Sequence, residues 1–228
     1  MVDTEIKYTC GHTQAEFASG RLNRWGLAEV TYCINGYPVG LGLTPDDVDS
    51  IVADAFGAWA ASCGLRFRKV SDPNQANIVM GVARGRRANF DGPMGVLAYC
   101  YLPQGDNFRG QVEMYWDLDE AWAKDRQQNG ILLLNVTCHE LGHGLGLDHT
   151  NVPKQLMNPI YSANIATPQD HDRQEVVNRY GPPRAVPVTP QPIPPTTGGR
   201  FVDVLVKDES GTVWSGRLTP KASQNLEL

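Results

Sequence analysis

The chain has 228 residues, a net charge of −5 and a pI near 5.5. That length suffices for one packed domain with extensions. Nothing in this acidic balance suggests nucleic-acid binding, which usually needs a basic surface, and no apolar run reaches the roughly 18 residues of a membrane span.

The opening residues Met1-Val2-Asp3-Thr4-Glu5-Ile6 lack the basic and apolar regions of a signal peptide. Either the protein is not exported by that route or the chain starts after a removed leader. Residues 1–20 have weak periodicity and read as an arm containing Tyr8-Thr9-Cys10-Gly11. Ala28 to Ile34 alternates and predicts a strand. Thr44-Pro45-Asp46-Asp47 is a helix start, with Thr44 as cap, Pro45 in the first turn and Asp47 closing a capping box. Val48, Ile51, Val52, Ala55, Phe56 and Trp59 then repeat at helical spacing to about Ser62. Leu65–Val70 and Asn77–Val82 predict two more strands. Glycines and a proline make Asn89–Gly95 a loop, and Val96–Leu102 reads as a strand after it.

Asp91 in that loop, and Asp117 and Glu120 further on, are carboxylates of the kind hard cations take. From spacing alone, acids on loops read rather as plain solvated charge.

The stretch Cys138-His139-Glu140-Leu141-Gly142-His143-Gly144-Leu145-Gly146-Leu147-Asp148-His149 reads H-E-x-x-H-x-x-G-x-x-H. Ile131 to Cys138 leads into its helix. On that helix His139 and His143 share one face, so both imidazoles can bind one Zn²⁺. Glu140 beside them is placed to act as general base on a zinc-activated water. Gly146 lets the helix end sharply, and the chain can return His149 as a third ligand. Three protein ligands leave a fourth position open, which is the catalytic rather than the structural arrangement. Met157 follows where this pattern expects a Met-turn. Cys138 is expected to pack as a small apolar residue. Five cysteines, Cys10, Cys33, Cys63, Cys100 and Cys138, form no C-x-x-C pair and are odd in number, so no disulfide framework is expected.

Ala166-Thr167-Pro168-Gln169-Asp170 starts another helix, with Val176, Val177 and Tyr180 as its buried face and Gly181-Pro182-Pro183 as its stop. Pro182 to Pro195 is a proline-rich, extended linker. Phe201–Val206 and Thr212–Trp214 flank Asp208-Glu209-Ser210-Gly211, a hairpin signal.

Six segments together resemble the matrixins, the matrix metalloproteinase family of the metzincin zinc endopeptidases. They are Thr31-Tyr32-Cys33-Ile34, Ala55 to Trp59, Phe90 to Ala98, Asp117 to Glu120, the histidine motif, and Leu156-Met157-Asn158-Pro159-Ile160-Tyr161. The likeness runs from about Arg21 to about Tyr180. It implies an α+β metzincin fold: a twisted, mostly parallel five-stranded sheet with an antiparallel edge strand, an active-site helix, and a smaller C-terminal subdomain with the Met-turn. It divides the chain into an arm over 1–20, a catalytic domain over 21–182, a linker over 183–199 and a hairpin segment over 200–228.

By position, the resemblance implies a Ca²⁺ site formed by the side chains of Asp91, Asp117 and Glu120 and the carbonyls of Gly92, Met94 and Val96. Matrixins usually hold a second, structural zinc through three histidines and an aspartate. Those positions here are Arg84, Arg86, Tyr99 and Tyr115, so that zinc is expected to be absent. Val96–Leu102 would be a sheet edge to which a substrate peptide adds as a strand. Leu97 and Ala98 would offer it backbone groups, and Pro159 to Tyr161 would wall the pocket for the residue after the cut. Asn135 occupies a position that shapes this pocket, either shortening it or adding polarity.

Matrixin zymogens are held inactive by a pro-segment cysteine in P-R-C-G-x-P-D. Tyr8-Thr9-Cys10-Gly11-His12-Thr13-Gln14 keeps only its cysteine and glycine. Cys10 is therefore either a fourth zinc ligand in a latent form or a thiol on a loose arm. The expected protein is a zinc-dependent endopeptidase acting on extended protein or peptide substrates, a monomer, secreted or extracellular by family likeness. The alternative is a metal-containing binding or adhesion module with weak or no catalysis.

Overall fold

The computed structural model describes residues 10, 22–38, 40, 42–85 and 90–184, and the backbone of 202–207 and 213–218. Strand β1 spans Glu29–Ile34 and helix α1 spans Pro45–Ala60. The predicted capping box is present: Thr44 Oγ1 accepts the Asp47 N–H at 3.1 Å, and the Asp47 carboxylate accepts the Thr44 N–H at 2.9 Å. Two orphan donors of the first turn are thereby satisfied reciprocally. Val48, Val52, Ala55, Phe56 and Trp59 form the buried stripe of α1.

Strands β2 (Arg66–Lys69) and β3 (Ile78–Ala83) lie on either side of β1, both parallel to it. Next come β4 (Ala98–Cys100) and β5 (Val112–Asp117). The sheet order is β2-β1-β3-β5-β4, with β5 parallel to β3 and β4 antiparallel to β5 at the edge. This is the mostly parallel sheet with an antiparallel edge strand that the sequence leads one to expect.

The edge strand is shorter than Val96–Leu102, although hydrogen bonds from Asp117 N to Leu97 O and from Tyr101 N to Glu113 O extend its pairing with β5. Strand β5 is not legible in the sequence. Five of its six residues are buried, so it lacks the alternation that marks a half-exposed strand.

A two-stranded parallel pair, β6 (Trp122–Ala123) and β7 (Ile131–Leu132), leads into helix α2, Leu133–Gly144. Every residue of α2 but Leu134 is buried. Two tryptophans lock it into the core. Trp59 Nε1 donates to Cys138 O at 2.9 Å and Trp116 Nε1 to Thr137 Oγ1 at 3.0 Å. The Trp122 indole donates to Asp117 O at 2.7 Å, tying β6 to the end of β5. Cys138 is fully buried in this core, and Cys33, Cys63 and Cys100 are buried thiols as well.

Helix α3, Asp170–Tyr180, closes the unit and ends at Gly181. Val176 is its apolar anchor, Val177 is only half-buried, and the buried face includes Asp172. No helix among the described residues is long and apolar enough to cross a membrane.

The chain divides into two compact units, Met1–Ala185 and Val186–Leu228. In the second, β8 (Val202–Lys207) and β9 (Val213–Leu218) pair antiparallel, Val202 opposite Leu218. Of the predicted hairpin, Phe201, Thr212 and the turn lie outside the described residues. So do the arm apart from Cys10, and the linker beyond Arg184.

Candidate active site

Helix α2 presents His139 and His143 from one face, and the turn at Gly146 returns His149 to them. His143 Nε2 lies 3.2 Å from His139 Nε2 and 3.1 Å from His149 Nε2. The far nitrogens of two rings are committed: His139 Nδ1 donates to Leu156 O at 2.6 Å and His143 Nδ1 to Leu147 O at 2.8 Å. A carbonyl only accepts, so each Nδ1 carries a hydrogen, and in the neutral ring each Nε2 presents a lone pair. Lone pairs that close repel unless a cation lies among them. Donor set, tautomers and spacing fit zinc.

Asp172 stands behind this geometry and was not foreseen. It is 1 % exposed, and its carboxylate accepts the N–H groups of Leu156 at 2.8 Å, Met157 at 3.1 Å and Gln169 at 2.8 Å. It thus fixes the peptide whose carbonyl orients His139. Its one sequence signal is its place three residues after the α3 cap. Met157 is buried directly under α2, where a Cβ on Gly142 would overlap its Sδ.

Cys10 is drawn into the same cluster. Its thiol and the three imidazoles are, among the described residues, the one set of three or more ligand groups whose donor atoms lie within 4.8 Å of one another. Its N–H donates to Pro159 O at 3.4 Å.

Glu140 is 1 % exposed and its Oε2 has no hydrogen-bond partner. Burial pushes its pKa up to about 8, opposed by hydrogen bonds from the Cys10 side chain and the Cys100 backbone. The Cys100 contact joins the acid to β4. One cavity is lined by Leu97, Asn135, Pro159 and Tyr161 together with Cys10, His139 and Glu140. Ala98 faces Trp116 within the sheet and does not line it. Asn135 Nδ2 donates to Ser162 O at 2.9 Å, and the Tyr161 hydroxyl accepts the Leu132 N–H at 3.1 Å. These bonds hold the segment after the Met-turn against α2.

The acidic residues gather at the other end of β4. Asp91 Oδ1 accepts the Val96 N–H at 3.0 Å and Glu120 Oε1 the Met94 N–H at 2.6 Å, so both acids organise the 91–96 loop. Met94 takes a left-handed φ of 65° between Gly92 and Gly95. Asp117 is fully buried; its Oδ1 accepts the Asp119 N–H at 2.9 Å, and its Oδ2 has no partner. Burial, then the charges of Asp117, Asp91 and Asp119, push Glu120 up to about 6 against the Met94 hydrogen bond. Burial, then the charges of Asp119 and Asp91, raise Asp117 as well. The three acids are not drawn as tight as the histidine set.

Arg84 pairs with Asp119 at 3.2 Å. Tyr99 and Tyr115 are buried with Ala83 and Phe90 in a small apolar cluster, and Arg86 lies outside the described residues.

A three-histidine metal centre with an adjacent buried glutamate, beside the edge of a mostly parallel sheet, is the constellation of a metal-dependent hydrolase. A protein-family model described as Matrixin matches residues 24–181. The chain is 34% identical to stromelysin-3 of Mus musculus over 74% of its own length and 34% of that protein's. Against interstitial collagenase of Oryctolagus cuniculus it is 39% identical, over 74% of this chain and 36% of that one. Against karilysin of Tannerella forsythia it is 32% identical, over 72% of this chain and 34% of that one. The chain belongs to the matrixin family. It spans about a third of the length of these curated relatives.

Proposed function

We propose that this chain is a zinc-dependent endopeptidase restrained by its own Cys10. The convergence of three imidazole Nε2 atoms beside Glu140 carries that reading. His139, His143 and His149 would hold the metal. When bound, zinc supplies Lewis acidity, which eases deprotonation of a water and polarises a carbonyl. Glu140 takes the proton of the attacking water at its carboxylate and delivers it to the leaving amine. Its burial supports that role, because a carboxylate screened from solvent and raised toward neutrality both accepts and releases a proton readily. A binding module has no use for a base at this spot.

The substrate is an extended peptide that adds to the β4 edge by main-chain bonds. Asn135, Pro159 and Tyr161 wall the pocket for the residue after the cut. By likeness to its relatives the protein works outside the cell, as a monomer, with residues 21–182 as the catalytic domain. Cys10 occupies the open position in the resting form, a role supported by its place among the histidines and by the affinity of thiolate for zinc.

Arg84, Arg86, Tyr99 and Tyr115 take the positions of the family's structural-zinc ligands, so one zinc per chain is expected. Metal analysis after dialysis against calcium buffer checks this. Two zincs would overturn the single-site reading, and none would overturn the catalytic one.

Calcium at Asp91, Asp117 and Glu120 would neutralise acids whose charges oppose one another's ionisation and would give the buried Asp117 Oδ2 a partner. At a hundredfold excess over its Kd, calcium should stabilise the fold by about 2.7 kcal/mol, raising Tm by several degrees. Asp117→Ala should abolish the rise. An unchanged melting curve for the parent in calcium would reduce these acids to ordinary charge.

A further inference from the structure

Helix α2 ends in the middle of the metal site, and its terminal carbonyls need partners. The turn itself supplies three of them. Leu145 N donates to Leu141 O at 2.9 Å, Leu147 N to Gly142 O at 2.9 Å and Gly146 N to His143 O at 2.7 Å. The next two carbonyls are met from far away in the sequence. Trp25 Nε1 donates to Gly144 O at 2.7 Å, and the Tyr180 hydroxyl donates to Leu145 O at 2.7 Å while accepting the Trp25 N–H at 3.1 Å. Burial raises the Tyr180 pKa, so the phenol keeps the proton it donates. Both partners stand on firm ground. Residues 24–26 are bonded to Gly105 and Phe108 through Arg24 N, Phe108 N and Gly26 N at 2.8–3.0 Å. Tyr180 ends α3, whose Val176 is fully buried. Gly146 has a φ of 87°, and a Cβ there would overlap Asn23 O. The path of the turn is thus fixed on both sides.

That path aims Leu147 O at His143 Nδ1 and then places His149 against His143. We propose that Trp25 and Tyr180 are positioning residues of the metal centre. By bonding Gly144 O and Leu145 O, they hold the Gly146 turn in the one course that aligns His143 and His149. The inference rests on the zinc reading above.

Tyr180→Phe removes one hydroxyl and keeps the ring. In a Glu140→Ala background, which prevents self-digestion, zinc affinity is measured by competition with a chromogenic chelator. The visible spectrum of the cobalt-substituted protein is recorded alongside. Tyr180→Phe should weaken zinc about tenfold, the low end for groups that orient ligands, and shift the cobalt bands. Thr31→Val serves as control: it deletes a hydroxyl bonded to Gln75 O at 2.8 Å on β1, away from the turn. It should lower Tm and leave zinc affinity unchanged. Trp25→Phe should weaken zinc in the same direction as Tyr180→Phe; should it fail to fold, Tyr180→Phe decides alone. A parent that binds no zinc refutes the zinc reading. A parent that binds it, with Tyr180→Phe unchanged in affinity and spectrum, refutes the positioning role only.

Discussion

Glu140→Ala should keep its zinc and lose hydrolysis by roughly 10²- to 10⁴-fold, the usual contribution of a positioned general base. The proposed ligands are His139, His143 and His149, whose mutual distances do not involve the Glu140 side chain. The fold should tolerate the change. Glu140 is a buried acid with one oxygen unpartnered, so deleting it removes a desolvation penalty that offsets the methylenes lost. Glu140→Gln, which keeps the volume, separates packing from proton transfer and should be as inactive. The comparison needs kcat on a general protein substrate, with zinc content measured on the same samples. Retained turnover in either variant would mean that proton transfer runs through another group.

Cys10→Ser should raise the activity of freshly purified protein. The thiol and the three imidazoles share one space, and the Cys10 N–H is bonded to Pro159 O on the wall of the same cavity. On the proposed reading, substrate and Cys10 would therefore compete. Apparent activity scales with the fraction of molecules whose site is open, so an arm docked in nine molecules of ten would hide about tenfold. The arginine and aspartate that brace the family's segment are Thr9 and Gln14 here, so the arm loses more entropy on docking and should release easily. Trimming residues 1–19 should match the substitution. Equal activity in all three forms, with Cys10 alkylated while zinc is bound, would end the idea of a guard.

Two kinds of feature were legible in the sequence. Local hydrogen-bond chemistry was one: Thr44 and Asp47 form the capping box their spacing announces, because every partner lies within one turn. Spacing on a single helix was the other, which joins His139 to His143 and, with Gly146, indicates a route back for His149. What escaped notice depends on distance. β5 is covered on both faces, so Val112–Asp117 carries no period to read. Asp172 reads as one more acid in a polar helix, since nothing nearby reveals that its carboxylate will meet the Leu156 and Met157 amides. Tyr180 reads as part of an apolar helix face and Trp25 carries no signal of its own, and only the fold brings their polar ends to the last carbonyls of α2.

The late position of Asp172 also orders events in time. Synthesis runs from the N-terminus, and the three histidines leave the ribosome before α3 does. Until that helix follows, the carboxylate that pins the Leu156 peptide is missing, and His139 lacks its fixed carbonyl. A nascent chain can thus carry every zinc ligand and still lack an aligned ring. On the zinc reading proposed above, the site would be complete only once α3 has been made.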